Sequence, residues 1–312
     1  MASGASSSAT PSAFPTSSTR QRPCPPLTAS SSSRPAASPA RTRASPPGTW
    51  SDDGAQALAL LDSLLTRDHL DLRDFGRRLV RWRDEHYMAV DGVFDVGVQT
   101  DRAIAMLRIG GDPRITGPAR EDANGNGSLM RVLPLALWHA GTDAALARDA
   151  KRQSLPTHGH LRSQVCCALY CLWARRLLGG ASGAEAWDGA VAALRPLLSP
   201  PDRGPGQAPA AEELDVILAY DGPLGTGYVV SCLHGARHAL EAGPYEAVVK
   251  AAVALGVDTD TTACVAGGLA GVRDGVHAIP QRWVDELRGR AVAEKLLRRL
   301  LQHDARASGE RR

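Results

Sequence analysis

Apolar residues recur at helical spacing along the chain from Ala55 onward, while the two-residue alternation typical of strands is nearly absent. The connections between these segments are short and marked by Gly, Pro or Asp, and no repeat of fixed length joins them. Helical patterns occupy residues 57–65, 75–82, 99–109, 129–140, 161–179, 183–194, 226–241, 245–255, 260–272 and 281–302. The sequence therefore predicts one compact all-α domain of about ten helices.

The first fifty residues differ from the rest of the chain in composition and charge. They contain five Arg and no Lys, Asp or Glu, so they carry +5, whereas the remaining residues carry −2 of the net +3. Residues 1–45 are rich in Ser, Pro, Ala and Arg and have no apolar period to offset the entropy lost on ordering. We predict a disordered segment at 1–45, a helical domain at 46–305 and a tail at 306–312.

Three interpretations of segment 1–45 stay open. It is a solvated tail, a segment foreign to the fold, or an organellar transit peptide, because it is rich in Arg and Ser and free of acids. The cytoplasm is the predicted compartment in the first two cases and an organelle in the third. The six Cys are few and form no Cys-x-x-Cys pair, so we assign the cluster at 166–171 to a helical core.

The charge and hydropathy of the body exclude two classes of partner. A net charge of −2 leaves no concentrated basic face for nucleic acid. The longest apolar run, residues 165–173, is far shorter than the ~20 residues of a membrane-spanning helix. A monomer is the default expectation, and a Pro- and Gly-rich stretch at 199–207 predicts a surface loop.

Acidic and hydroxyl side chains cluster at two predicted helix starts. The clusters are Ser51-Asp52-Asp53 and Asp258-Thr259-Asp260-Thr261. Helix capping explains one such residue at each start, because Ser, Asp and Thr are preferred there and acids favour the positive end of the helix dipole. Four carboxylates exceed that need, and hard oxygen ligands select Mg²⁺, Mn²⁺ or Ca²⁺. Capping and a two-cation site stay open as alternatives.

Two further segments hold candidate binding residues. Asn124-Gly125-Asn126-Gly127-Ser128 can turn sharply and point backbone N–H groups at a phosphate or a ribose, although a surface turn has the same composition. His158 and His160 precede the Cys-containing helix. Each is more often a cap or a hydrogen-bonded core residue than a ligand, and the acidic clusters make an imidazole metal site unnecessary.

Together, these segments resemble the ADP-ribosylglycohydrolase family, which includes dinitrogenase reductase-activating glycohydrolase. Residues 46–53 (PPGTWSDD) are similar to its first metal motif, residues 124–131 (NGNGSLMR) to its substrate loop, and residues 255–261 (LGVDTDT) to its second metal motif. Weaker matches are VFDVG at 93–97, TH at 157–158, GYVV at 227–230, and IP at 279–280 with Trp283. The resemblance runs from about Pro46 to Leu301.

The resemblance implies an orthogonal multi-helix fold with two Mg²⁺ or Mn²⁺ ions, which hydrolyses the glycosidic bond between ADP-ribose and a protein side chain or a small-molecule acceptor. The implied metal ligands are Ser51, Asp52, Asp53, Asp258, Asp260 and Thr261. The implied substrate-binding residues are Asn126, Gly127, Ser128, His158 and Tyr228. The implied catalytic acids or bases are Asp53, Asp260 and Asp122. The expected partner is an ADP-ribosylated protein or an ADP-ribose-containing small molecule.

The sequence departs from the family pattern at three places. Ser51 stands where Thr is usual, which keeps the hydroxyl, and Gly54 stands where Thr is usual, which is expected to loosen the helix start. Residues 1–45 show no counterpart of the family's N-terminal Gly-Asp-Ala-Leu-Gly-like helix. A catalytically impaired relative that binds ADP-ribose or has a structural role therefore stays open as the alternative function.

Overall fold

The computed structural model describes residues 45–198 and 210–309, with side chains to His303, and these residues belong to one compact helical unit. Its α-helices are α1 (Asp52–Arg67), α2 (Leu72–Glu85), α3 (Val98–Arg108), α4 (Leu133–Trp138), α5 (Asp143–Ser154), α6 (Leu161–Leu178), α7 (Gly183–Leu194), α8 (Ala210–Leu218), α9 (Val229–Leu240), α10 (Tyr245–Ala254), α11 (Thr259–Asp274), α12 (Gln281–Glu286) and α13 (Arg290–Gly309). Short 3₁₀ turns follow α7 and α11. The described ranges contain no strand, which confirms the all-α prediction.

Helix α6 forms the centre of the core. It packs against α4, α5, α7, α8, α9 and α11. Its residues from Val165 to Ala174 are buried on every side of the helix, as an element surrounded by six others requires. Cys166, Cys167 and Cys171 lie in this fully buried stretch with free thiols, so the assignment of the cluster to the core is confirmed.

Several helix boundaries differ from the sequence prediction. The pattern at 129–140 becomes α4 alone, because residues 127–131 form turns beneath the Asn-Gly loop. The pattern at 281–302 is broken between α12 and α13 at Gly289, which adopts φ +70°. Helices α5 and α8 were missed, since α5 is mostly charged on its outer face and α8 is only nine residues long. Propensity and periodicity are weak signals in such segments.

Residues 46–50 lie against the connection between α12 and α13. The backbone N–H of Arg288 donates to the carbonyl oxygen of Gly48 at 3.0 Å, and a Cβ on Gly48 would overlap the carbonyl oxygen of Glu286. A Cβ on Gly289 would overlap the side chain of Val90. The indole N–H of Trp50 donates to the carbonyl oxygen of Met88 at 2.9 Å. These contacts of Gly48 and Trp50 hold the chain in place immediately before α1.

Two of the sequence predictions, segment 1–45 and the loop at 199–207, fall almost wholly outside the described residues. Within the described ranges, none of the helices combines the length and the apolar character needed to cross a membrane.

Candidate functional site

The starts of α1 and α11 face one another across a cavity of about 280 Å³. Asp52 from α1 and Asp258 and Thr261 from α11 line this cavity. Asp53 lies close enough to Asp258 and Asp260 for their negative charges to raise its pKa. The fold therefore brings the two acidic clusters together, although some two hundred residues separate them in the sequence.

Capping does not account for these side chains. Ser51 and Asp258 occupy the N-cap positions of α1 and α11, but neither side chain accepts a hydrogen bond from the helix backbone. The Ser51 hydroxyl instead donates to Asp53 Oδ2 at 2.6 Å. By contrast, Asp71 and Thr142 cap α2 and α5 in the usual way. The two N-cap side chains thus make no capping bond, and Asp52, Asp258 and Thr261 line the cavity.

The carboxylates of α1 are buried in a strongly negative environment. Burial, followed by the charges of Asp53, Asp95 and Asp260, raises the pKa of Asp52 to about 9. Burial also raises the pKa of Asp53 to about 7, against the hydrogen bond from Ser51. Asp53 Oδ1 is buried without a hydrogen-bond partner. No ion pair among the described residues includes these carboxylates.

The chemistry of this donor set fits a divalent cation. Buried carboxylate and hydroxyl oxygens, one of them without a partner, are the ligands that Mg²⁺ and Mn²⁺ prefer. As the side chains stand, residues 45–198 and 210–303 contain no group of three His, Cys, Asp or Glu close enough to enclose an ion. The fit therefore rests on the identity and burial of the oxygens and not on a preformed cage.

The Asn-Gly loop forms a second wall of the cavity and is held by the segment before α9. The N–H of Asn126 donates to the carbonyl oxygen of Gly227 at 3.0 Å, and the N–H of Val229 donates to that of Asn124 at 2.9 Å. The side-chain amide of Asn126 donates to Asp258 Oδ2 at 2.9 Å. This bond connects the predicted substrate loop directly to the second acidic cluster.

His158 lines the same cavity beneath the loop. Its ring lies so close that a Cβ on Gly127 would be 2.9 Å from His158 Cε1, and one on Gly125 would be 3.3 Å from Nε2. Nδ1 is 2.8 Å from the Thr157 hydroxyl. Burial, with the positive charge of Arg131, lowers the pKa of His158 to about 3. The imidazole is therefore neutral at physiological pH and offers Nε2 as a hydrogen-bonding group.

The structure places the other candidates differently. Asp122 is 72% exposed, pairs with Arg120 at 2.9 Å, and lies outside the cavity that Asp52 and Asp258 line. The Ser128 side chain is fully buried, with its hydroxyl 2.9 Å from that of Ser154. Asp260 is exposed in the first turn of α11. Tyr228 lines an adjoining pocket, where its hydroxyl accepts a hydrogen bond from Arg162 at 3.3 Å.

Sequence reasoning missed three residues that the structure brings to the site. Asp95 lines the cavity and approaches Asp52, and the only signal was the short VFDVG match. Gln56 and Arg131 lie directly behind Asp52, fully buried. Arg131 ends the NGNGSLMR match, but its burial keeps it from the cavity. No sequence pattern distinguishes an interior Arg from an exposed one.

The chain is similar to known proteins of one family. The family model described as ADP-ribosylglycohydrolase matches residues 9–309, so the match includes residues before Pro46. A solved structure described as an ADP-ribosylglycohydrolase-related protein complex is 33% identical, with a TM-score of 0.65 over 83% of each chain.

Three curated relatives carry more specific names. ADP-ribosylarginine hydrolase Tri1 of Pseudomonas putida is 29% identical over 81% of this chain and 66% of its own length. Its namesake from Serratia proteamaculans is 26% identical over 77% and 64%. The ADP-ribosyl-[dinitrogen reductase] glycohydrolase of Rhodospirillum rubrum is 29% identical over 77% and 74%. The chain thus spans slightly less than two thirds of the length of the two Tri1 proteins.

Proposed function

The chain belongs to the ADP-ribosylglycohydrolase family, and we propose that it is a metal-dependent hydrolase that releases ADP-ribose from arginine side chains of modified proteins. The observation that carries the proposal is the meeting of both acidic clusters with the Asn-Gly loop around one cavity. The names of the Tri1 relatives and of the Rhodospirillum relative support arginine and a protein substrate.

We propose that Ser51, Asp52, Asp53, Asp258, Asp260 and Thr261 hold two Mg²⁺ or Mn²⁺ ions. When bound, the cations supply positive charge beside the ribose hydroxyls and beside the attacking water. The oxygen of Asp53 that lacks a partner supports this assignment, because a buried carboxylate oxygen is costly unless something binds it.

The other cavity residues bind and orient the ADP-ribosyl group in this proposal. Gly125, Gly127 and Gly227 expose backbone to the cavity because they have no side chains. Asn126 is held in place by Asp258, and His158 presents a neutral ring nitrogen to a ribose hydroxyl or a diphosphate oxygen. A neutral ring contributes a hydrogen bond without competing with the cations for the diphosphate.

The reaction breaks the bond between the anomeric carbon and the guanidine nitrogen. The water oxygen bonds to that carbon, one water proton goes to a carboxylate, and a proton returns to the departing nitrogen. Asp95 fits the proton-accepting role better than Asp122, because it lines the cavity and belongs to no ion pair of the described residues, whereas Asp122 is held by Arg120. Asp53 and Asp260 complete the set of candidate acids and bases.

The test is release of free ADP-ribose from three substrates by the Mn²⁺-loaded or Mg²⁺-loaded protein. ADP-ribosylarginine, ADP-ribosylserine and O-acetyl-ADP-ribose are compared at equal concentration, and we expect release from the arginine conjugate to be fastest. Addition of EDTA should abolish it, and excess metal should restore it. Failure to hydrolyse any of the three, with ADP-ribose binding retained, favours the alternative of a catalytically impaired relative.

Asp258→Asn separates the metal site from the fold. The Asn side chain keeps the size of Asp258 and loses the charge, so we expect it to abolish metal binding and turnover while the protein still folds. Asp122→Asn is the matched control, since Asp122 lies outside the acid-lined cavity, and it should retain activity within about threefold. Full activity in Asp258→Asn would reject the site assignment.

A further inference from the structure

A fully buried arginine lies behind the acidic cluster, and its hydrogen-bond partners among the described residues are neutral groups. Arg131 is 0% exposed. Its guanidinium donates to Gln56 Oε1 at 2.8 Å, to Gln153 Oε1 at 3.2 Å and to the Gln153 carbonyl oxygen at 3.1 Å, and it lies over the Phe75 ring. An ion in this position is costly unless a charge of opposite sign lies near it.

The carboxyl group of Asp52 is one amide away from the guanidinium. Gln56 Nε2 is 3.4 Å from Asp52 Oδ2, while Gln56 Oε1 accepts from Arg131. Arg131, Gln56 and Asp52 therefore form a buried relay from the core to the cavity wall.

This relay permits only one orientation of the Gln56 amide. A guanidinium has donors and no acceptor, so Oε1 must face Arg131, and a carboxylate accepts, so the NH₂ group must face Asp52. A flipped amide would place two donors together at one end and two acceptors at the other. Arg131 thus orients the Gln56 amide so that its NH₂ group faces Asp52 Oδ2.

The same arginine also holds the loop side of the site. Gln153, which accepts from Arg131, donates through Nε2 to the carbonyl oxygen of Ser128 at 3.1 Å. Ser154 donates to the carbonyl oxygen of His158 at 2.7 Å. Arg131 is therefore bonded to the first turn of α1 and, through Gln153, to the end of the Asn-Gly loop.

We propose that Arg131 is a positioning residue for the proposed metal centre, and that it acts on Asp52 through the amide of Gln56. The inference rests on the proposed function, because it takes Asp52 as a metal ligand. Neither Gln56 nor Arg131 lines the cavity, so neither touches the substrate. Groups that orient metal ligands in this way commonly change metal affinity by about 10–100-fold when they are removed.

The test is a double-mutant cycle read by Mn²⁺ affinity, with free Mn²⁺ measured by electron paramagnetic resonance. Gln56→Met removes the amide that connects Arg131 to Asp52 and keeps the side-chain length. Arg131→Met removes the guanidinium that orients this amide. We expect each single variant to lower the affinity for Mn²⁺ at least tenfold. The double variant should lose no more affinity than the single variant with the larger loss. Arg131→Lys, which keeps the charge, should recover part of the affinity. At saturating Mn²⁺, the kcat for ADP-ribosylarginine should fall while KM stays within twofold.

Arg78→Met is the matched control, because Arg78 is a nearly buried arginine that ion-pairs with Asp62 and Asp74 on α1 and α2. It should lower the melting temperature without changing Mn²⁺ affinity. If Arg131 has a purely structural role, Arg131→Met should likewise lower the melting temperature without changing Mn²⁺ affinity, and this result would overturn the inference. Additive losses of Mn²⁺ affinity in the double-mutant cycle would also overturn it. If Arg131→Met does not fold, Gln56→Met alone decides, since unchanged Mn²⁺ affinity in that variant rejects the relay. Wild-type protein that binds no Mn²⁺ overturns the proposed metal centre itself.

Discussion

Gly127→Ala is expected to destabilise the protein by about 1–3 kcal/mol, the usual cost of forcing an extra methyl group into a packed interior. The new Cβ would lie 2.9 Å from His158 Cε1 and 3.2 Å from the Thr100 hydroxyl. Ordinary van der Waals contact begins near 3.4 Å, so the ring must move by about 0.5 Å. His158 cannot do so freely, because it is buried and its Nδ1 is held by Thr157.

The assay is urea unfolding followed by circular dichroism, with thermal unfolding as a second measure. Each kcal/mol corresponds to a decrease in melting temperature of about 2–4 °C for a domain of this size. Gly125→Ala is the matched control in the same loop, since its Cβ would lie at 3.3 Å from His158 Nε2. Neither glycine has a positive φ, so backbone strain does not separate the two. We expect Gly125→Ala to cost less than about 1 kcal/mol.

A second pair of variants isolates the contact that causes the loss. In a His158→Ala background the ring is absent, and Gly127→Ala should lose most of its cost, leaving only the approach to Thr100. An equal cost in both backgrounds would refute the reasoning, and so would equal destabilisation by Gly125→Ala and Gly127→Ala. ADP-ribose release should fall with Gly127→Ala more than with Gly125→Ala, because the displaced ring lines the cavity.

Three further predictions concern other parts of the molecule. Gly54→Thr should destabilise the protein, since a Cβ there would lie 2.7 Å from Trp50 Cγ; thermal unfolding measures the loss, and Trp50→Ala should relieve it. Stability should fall as the pH drops below about 4. Burial raises the pKa of Asp62, but hydrogen bonds and the charge of Arg78 outweigh burial, so the pKa of the folded protein is lowered. The ionised Asp62 therefore stabilises the fold above its unfolded pKa, and this stabilisation is lost when Asp62 is protonated. Urea titrations from pH 3 to 7 should show a smaller loss in Asp62→Asn. Addition of Mn²⁺ should raise the melting temperature of the wild type and not of Asp258→Asn.

The sequence predicted the parts of the site that depend on local chemistry. Two clusters of acids at helix starts and a doubled Asn-Gly loop are visible without a fold, and the structure brings both clusters and Asn126 to one cavity. The space at Gly54 is filled by the Trp50 ring, so a larger residue is not accommodated there, and the expectation that Gly54 loosens α1 stays a prediction.

The positions of the other acids and of Arg131 could not be predicted, because they depend on contacts between segments that are far apart in the sequence. Asp122 and Asp95 are both acids close to loop residues, yet only Asp95 lines the acidic cavity, because the chain turns at 91–97 place it beside Asp52. Arg131 ends the NGNGSLMR match, and the turn at 127–131 directs its side chain into the core. Burial of a charged side chain is decided by the partners that surround it, and these come from α1 and α5.

The site and the contacts of Gly48 with the residues before α13 both join parts of the chain that are synthesised far apart. The α1 acids leave the ribosome some two hundred residues before Asp258 at the start of α11, and Arg288, which bonds to Gly48, follows about thirty residues later. Until then, the buried carboxylates of α1 have no opposing wall and remain hydrated. A nascent chain arrested before residue 258 should therefore neither retain Mn²⁺ nor protect α1 from proteolysis, and release of the full chain should confer both properties together.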